Sequence, residues 1–419
     1  MKNINILYFA LLCQIGLWSC NSNDANDSGL YIANIEEALS NIEDVKLSDY
    51  ATDINYYTLE TADSCLLGIF SKISFTDDMI FIGSTDKMKT IHQFTRDGKF
   101  IKNVGIRGRG KGEYLAIRSI IPLTDMNAIM VEGGPKAVIY SLEDGNAIKD
   151  IYFDQLRKED GTLLNNPDSK NPHSIYNIEY DGKGNFYILT FNVKSGCQNL
   201  IATDTSLVVK NTIKLRSGEK SISEAYTQRG GVIKSPAMAI SGISYMYDDK
   251  INFFHGMNDT LYVIEDNKPV PKLAIDYGYY CKDLHNVTAE DIWVKIRLES
   301  DNIIFMEARM PLSNQQEANS LGTAHILYDK ANDKTRLMKF TENLPGDQFF
   351  TDGGGAFFND LDGGLPFWPI HIHNNKMYMA CDAGKFIELS QKYNSQKMKE
   401  VASRINEDSN PVLIEVVLK

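Results

Sequence analysis

Short alternating apolar runs, broken by Asp, Asn and Gly and returning at a regular interval, constrain this chain more than any other feature. ISFTDDMIFIGS (residues 73–84) reads as a strand, an Asp-Asp turn and a second strand. IHQFTRDGKFIKNV (91–104) repeats the form around Asp97-Gly98, a strong hairpin signal. The pairing recurs in YNIEYDGKGNFYILTF (176–191), ISYMYDDKINFFHG (243–256) and WPIHIHNNKMYMACD (368–382). Third strands follow several of these pairs, as in AVIYSLEDGNAIKDIYF, TLYVIEDNKPVPKLAIDYG and AHILYDKANDKTRLMKF. The unit is a meander of about four strands returning about every sixty residues, about six times over. One small sheet cannot bury both of its faces, and radial stacking of neighbours covers them. The expectation is an all-β chain whose residues 46–419 form a six-bladed β-propeller, with a pair of β-sandwiches as the alternative.

Both ends of the propeller region carry closure signals. TDINYYTLET (52–61) stands alone before the first meander, and is expected to complete the last blade and remove free sheet edges. Helical periodicity is confined to KFIELSQKYNSQKMKEVASRI (385–405), expected as one late helix before a final strand, PVLIEVVLK. The fifth blade, near residues 302–340, has the weakest pattern.

The first twenty residues, MKNINILYFALLCQIGLWSC, have the form of a processing signal. Lys2 supplies the charged start and residues 4–18 a short apolar stretch interrupted by Gln14. Leu17-Trp18-Ser19-Cys20 resembles a bacterial lipobox, whereas Cys13 follows the bulky Leu12. Residues 1–19 are therefore expected as a lipoprotein signal peptide, with Cys20 as the lipid-bearing N-terminus; a plain secretory signal or a short membrane anchor is the alternative. Several acyl chains on one residue anchor firmly where one is marginal. Residues 20–45, which open with the polar run NSNDANDSG, are expected as a flexible tether. No later segment is long and apolar enough to read as a membrane helix.

With 43 basic and 55 acidic residues, the formal charge is −12. That balance argues against nucleic acid or an anionic membrane surface as the main partner. Apolar residues at 43% suit an ordinary globular core rather than disorder. Cys65, Cys197, Cys281 and Cys381 make no zinc or redox pattern; disulfides and buried thiols both remain open.

Three places carry a family likeness. They are Leu47-Ser48-Asp49 leading to INYYTLETADSCLLG; the run FTRDGKFIKNVGIRGRGKGEY; and Asn410-Pro411-Val412-Leu413 after the late helix. In these the chain resembles the NHL-like six-bladed β-propeller lipoproteins of Gram-negative bacteria. The family usually has Pro where this chain has Lys111. The resemblance implies the fold and an anchor in the outer membrane, on its periplasmic or surface face.

GIRGRGKGEY (105–114) has the glycine and lysine spacing of a Walker loop, but Gly112 replaces the Ser or Thr that would hold Mg²⁺. Its glycines are expected to turn the chain between two blades. Arg107, Arg109 and Lys111 are candidate ligands for an anionic glycan, against a solvated loop. His371 and His373, two apart on a strand, point to one face and are candidate Zn²⁺ ligands, with His255 or Asp382 needed to complete the set. The alternative is a pair of ordinary histidines lining a channel or packed between blades. The loop TDGGGAFFNDLDGGLPFW (351–368) offers Asp352, Asp360 and Asp362 to Ca²⁺ and Trp368 to a sugar ring, against a structural turn. The function read from these features is a ligand-binding or protein-interaction module of unknown ligand. The rival is a propeller hydrolase or lyase with a metal and carboxylate site at the channel mouth. A third reading is a structural partner of an outer-membrane complex.

Overall fold

Six four-stranded antiparallel blades stand around a central channel. The computed structural model describes residues 30–67, 70–84, 90–163, 173–192, 197–217, 222–226, 232–236, 243–254, 259–281, 286–287, 291–309, 323–339, 341 and 354–419. Blade one comprises Phe70–Phe75, Met79–Ser84, Ile91–Thr95 and Phe100–Val104. Blade two comprises Ser119–Leu123, Ala128–Glu132, Lys136–Ser141 and Ala147–Tyr152. Blade three comprises His173–Tyr180, Asn185–Asn192, Cys197–Asp204 and Val209–Ser217. Blade four comprises Ile243–Tyr247, Lys250–Phe254, Thr260–Glu265 and Lys268–Asp276. Blade five, weakest in the sequence, is nonetheless complete: Trp293–Glu299, Ile303–Arg309, Thr323–Asp329 and Lys334–Met338. Tight turns join the strands where the sequence supplies residues that tolerate a left-handed backbone. Asp248 and Asp249 (φ 52° and 55°), and Asn374 and Asn375 (φ 46° and 57°), each turn a two-residue hairpin.

Period-two alternation divides each strand between two neighbours. Ile80 and Ile82 pack with Tyr378, Ala380 and Leu413 of blade six, while Phe81, between them, packs with Ile129, Val131 and Val138 of blade two. The same rule builds buried clusters between blades two and three, four and five, and five and six. The core is thus a ring of wedges, each filled by two facing blades.

Blade six closes the ring from both ends of the chain. Its order is His371–His373, Lys376–Cys381, Val412–Leu418 and, outermost, Ala51–Thr58. Between its second and third strands lie two helices, α2 (Ala383–Lys392) and α3 (Gln396–Ala402), where the sequence suggested one. The break follows from capping: the Asp382 and Ser395 side chains accept from Lys385 N and Met398 N, so each begins a separate helix.

The expected tether also needs correction. Tyr31–Asn34 lies parallel to the outer strand of blade four, helix α1 (Ile35–Ser40) crosses to blade five, and Ile42–Glu43 lies parallel to that blade's outer strand. Ala33, Ile35 and Ala38 are buried in the wedge between these blades. Residues 30–45 are therefore a strap on the propeller rather than a tether, because their apolar residues find the uncovered edges of blades four and five. Cys20 lies outside the described residues.

Candidate functional site

The first strands of the six blades form a closed inner ring around a cavity of about 910 Å³. That volume lies near the upper end of the range for small-molecule sites. Every blade contributes to the wall. Blade three supplies Asn177 and Glu179, blade five Lys295 and Arg297, blade one Lys72, and blade six His371 and His373. Thr124, Ser244 and Tyr245 add polar groups from blades two and four, and Glu299 adds a carboxylate from blade five.

Charge in this wall is unevenly neutralised. Arg297 Nε lies 3.0 Å from Glu307 Oε1, a carboxyl that burial raises above its usual range. Lys72 and Lys295 have no carboxylate within ion-pair distance among the described residues. Burial lowers both below the ordinary lysine value, and repulsion from Arg297 adds to the effect. Attraction from Glu132 opposes the shift at Lys72, and attraction from Glu307 opposes it at Lys295. Lys295 also lies 5.2 Å from the Trp293 ring centroid. By contrast, Lys272 and Lys330 are committed to the buried Glu299, which also accepts from Tyr245 Oη at 2.7 Å. Those groups tie blade four to blade five.

Glu179 belongs to a different part of the wall. Burial raises its carboxyl to about 8, and a 2.8 Å hydrogen bond from Asn177 Nδ2 opposes that rise. Asn177 Nδ2 also reaches Ser244 O at 2.5 Å, which fixes blade three against blade four. Among the described residues, no charged neighbour acts on Glu179. Its proton is therefore a consequence of burial, and a neutral carboxyl stands across the cavity from Lys72, Lys295 and Arg297.

His371 and His373 share one face, as the spacing implied, and line this cavity; His371 packs tilted against Phe75 and His373 stacks on it, with ring centroids at 5.0 and 6.0 Å. Phe75 is itself stacked on Tyr378 at 4.1 Å, below the Arg96 guanidinium. Burial pushes His371 down to about 3 and lowers His373, so both rings are neutral at ordinary pH. His373 Nε2 lies 3.6 Å from Asp77. Among the described residues, no three His, Cys, Asp or Glu side chains assemble as metal ligands. Asp382 is occupied as the cap of α2; His255 and Asp352 lie outside the described residues.

Asp360 and Asp362 are far from those histidines in role. Asp360 accepts from Ser48 N and Oγ at 2.9 and 2.6 Å. Asp362 accepts from Asn359, Gly364 and Tyr56 at 2.8, 3.0 and 3.2 Å, and from the Ser395 hydroxyl. With its lone pairs spent on the closure of the ring, this carboxylate has little left for Ca²⁺. Trp368 is 6% exposed and stacked on His325 at 3.9 Å, within the wedge that contains Phe305 and Phe357. A sugar cannot reach its face. The loop expected as a recognition platform is a structural turn at the seam of blades five and six.

Arg107, Arg109 and Lys111 are exposed and none lines the cavity. Their loop is held against the outer strands of blade two: Lys136 Nζ donates to Gly110 O at 2.8 Å, Gly112 N donates to Asp150 at 2.9 Å, and Tyr140 Oη donates to Gly112 O at 2.8 Å. The amides a phosphate would need are used within the fold. Gly105 has φ +72°, and a Cβ there would lie 2.5 Å from the Tyr140 ring. Cys65 and Cys381 are buried free thiols raised by burial, and Cys281 is buried; the Cys197 side chain lies outside the described residues.

Lys72, Glu179, Lys295 and Arg297 were not singled out from the sequence. The signal for Lys295 and Arg297 is the alternation in WVKIRLE, where Val294 and Ile296 are buried and the intervening residues are charged. Charges at every second position of a first strand can face a channel or solvent, and strand pairing alone does not distinguish the two.

Comparison with known proteins follows the fold closely and the site not at all. No curated protein matches the chain. A protein of Bacteroides fragilis NCTC 9343 described as exported is similar in structure, with TM-score 0.60 and 16% identity over 93% of this chain and 99% of that one. A member of the DUF4221 family from Bacteroides vulgatus gives TM-score 0.42 and 11% identity over 88% and 97% of the two chains. Virginiamycin B lyase from Staphylococcus aureus gives 0.36 and 11% over 87% and 99%. The first likeness carries the six-bladed fold. The family described as Domain of unknown function (DUF4934) matches residues 30–417, the strap and all six blades together. The chain belongs to that family.

Proposed function

We propose that this protein is a lipid-anchored, extracytoplasmic binding module that captures a small polar ligand in its central cavity. The observation that carries the reading is the cavity itself. All six blades converge on about 910 Å³ whose wall holds Lys72 and Lys295, neither with a carboxylate within ion-pair distance among the described residues. Burying unpaired cations costs stability, and a ligand that neutralises them offsets that cost. The lipobox at Leu17 to Cys20 supports the anchor in an outer membrane, and the exported description of the similar Bacteroides fragilis protein agrees with a site outside the cytoplasm. Anionic-glycan capture, first suggested by Arg107, Arg109 and Lys111, is better supported in the cavity than on that loop.

The test uses the full chain purified in detergent. Mass spectrometry of the mature N-terminus should find acylated Cys20, and Cys20→Ala should move the protein out of the membrane fraction. A thermal-shift screen of sugars, organic acids, amino acids and nucleotides should return stabilising ligands. Silence across the screen would discard small-ligand capture and leave a protein partner.

An enzyme remains the second reading on one observation: a protonated Glu179, placed to act as a general acid, lines the cavity that also holds Lys72 and Lys295. Turnover of a stabilising ligand, lost in Glu179→Gln, would establish it.

A further inference from the structure

The two parts of the cavity wall differ in what they ask of a ligand. The cations share one arc: Lys72 and Lys295, with the Glu307-paired Arg297, line the cavity from blades one and five, whose first strands flank that of blade six. Glu179 lines it from blade three, opposite blade six. One arc therefore calls for negative charge. The facing wall offers a hydrogen-bond donor, because burial keeps the Glu179 proton in place at neutral pH and Asn177 already occupies one of its oxygens. A bare inorganic anion would satisfy the first arc and leave the second unused. A neutral sugar would do the reverse.

Long polyanions fit poorly as well. The cavity wall extends to Asp181, Asp248 and Asp249, at the turns that follow the first strands of blades three and four. Among the described residues there, Asp249 alone is ion-paired, with Lys183 at 3.0 Å, so a chain of sulfates or carboxylates threaded past this end meets like charge. Tyr245 and Tyr247 line the same region, the Tyr247 ring beneath Lys272 and Lys330 at 4.4 Å each.

We propose that the central cavity takes a sugar acid, a compact hydroxylated carboxylate, with its carboxylate among Lys72, Lys295 and Arg297 and a hydroxyl accepting from the Glu179 carboxyl. This rests on the cavity reading above and names its ligand class. Lys72, Lys295 and Glu179 are the specificity-determining residues. The two lysines select the charge, and Glu179 selects the hydroxylated body.

Isothermal titration of the full chain in detergent with galacturonate, its methyl ester, galactose and acetate separates the claims. Galacturonate should bind, and the ester, galactose and acetate should each be weaker by about tenfold or more, since each removes one half of the recognition. Lys72→Met and Lys295→Met should each weaken galacturonate about tenfold while leaving galactose unchanged. Glu179→Gln, which still donates, should hold affinity within about threefold, whereas Glu179→Leu should lose about tenfold. Near-ultraviolet dichroism checks that each variant folds, and either lysine variant alone suffices. Equal binding of ester and acid, or lysine variants without effect, overturns the proposal. So does failure of galacturonate to bind. If another class in the thermal screen then binds and competes with an indicator in the cavity, only the ligand class is wrong. If nothing binds, the cavity reading falls with it.

Discussion

Glu179 and Asp362 show how the same side-chain chemistry takes opposite roles according to what surrounds it. Asp362 accepts from four groups on three segments of the chain and so ties the α3 entrance to the outer strand of blade six. Asp362→Ala leaves the Tyr56 hydroxyl and Asn359 amide without this acceptor, and should destabilise the fold by about 2–4 kcal/mol in urea unfolding. Glu179 has a folded pKa of about 8 against 4.5 when unfolded. Below pH 4.5 both states are protonated and the group is neutral to stability. As pH rises towards 8 the unfolded state loses the proton first, so stability falls through that window. Each unit is worth about 1.4 kcal/mol, and water entering from the cavity reduces the total to roughly 1–3 kcal/mol. Glu179→Gln should abolish this loss, and melting temperatures of the two proteins should therefore diverge in favour of the variant between pH 5 and 9. Parallel pH profiles would mean that Glu179 is ionised and well solvated. At residue scale the sequence marked Asp362, in its glycine-rich loop, as a metal ligand and passed over Glu179, because the partners of neither side chain can be read from its neighbours along the chain.

At the scale of elements, the strap is the largest departure from the sequence reading. Its polar lead-in, NSNDANDSG, suits a linker, and YIANIEEALS is too short to signal a helix of its own. What makes it fold is a partner it cannot carry in its own pattern: the outer edges of blades four and five, where Tyr31 pairs with Leu273 and Ile42 with Leu337. Ala33→Asp places an unpaired charge at a fully buried position, and should cost about 3 kcal/mol or more. Hydrogen exchange should then increase first in Lys268–Asp276 and Lys334–Met338. The glycine loop behaved as its sequence indicated. Gly105 needs its positive φ, and Gly105→Ala should lose about 1–3 kcal/mol. Arg107, Arg109 and Lys111, being exposed, should be replaceable together by Ala with a change in stability within about 0.5 kcal/mol and no change in cavity binding.

For the molecule as a whole, closure by blade six decides whether the other five blades remain a ring. Val412–Leu418 pairs on one side with Lys376–Cys381 and on the other with Ala51–Thr58, so the third strand of this blade joins the two ends of the chain. A chain ending at Asn410 should expose two strand edges and the wedge shared by blades six and one. Loss of near-ultraviolet dichroism and aggregation are the expected readings. If such a chain stayed monomeric and folded, closure would not be what holds the ring.

The sequence by itself determined the blades, their number and their closure, because each blade is a local event. Strands alternate with period two, turns need particular residues, and a repeat that cannot cover its own faces must stack on its neighbours. Burial in facing wedges then follows from the same alternation. Only the tertiary structure decided the site. Lys72 and Lys295 lie on blades one and five, and nothing in either strand states that ring closure brings them to one arc of the channel. Whether a charge ends ion-paired, as at Glu299, or unpaired depends on which side chain the neighbouring blade presents. Coulombic partnership is a property of distance in space, and in a propeller the inner ring makes neighbours of residues that are remote along the chain.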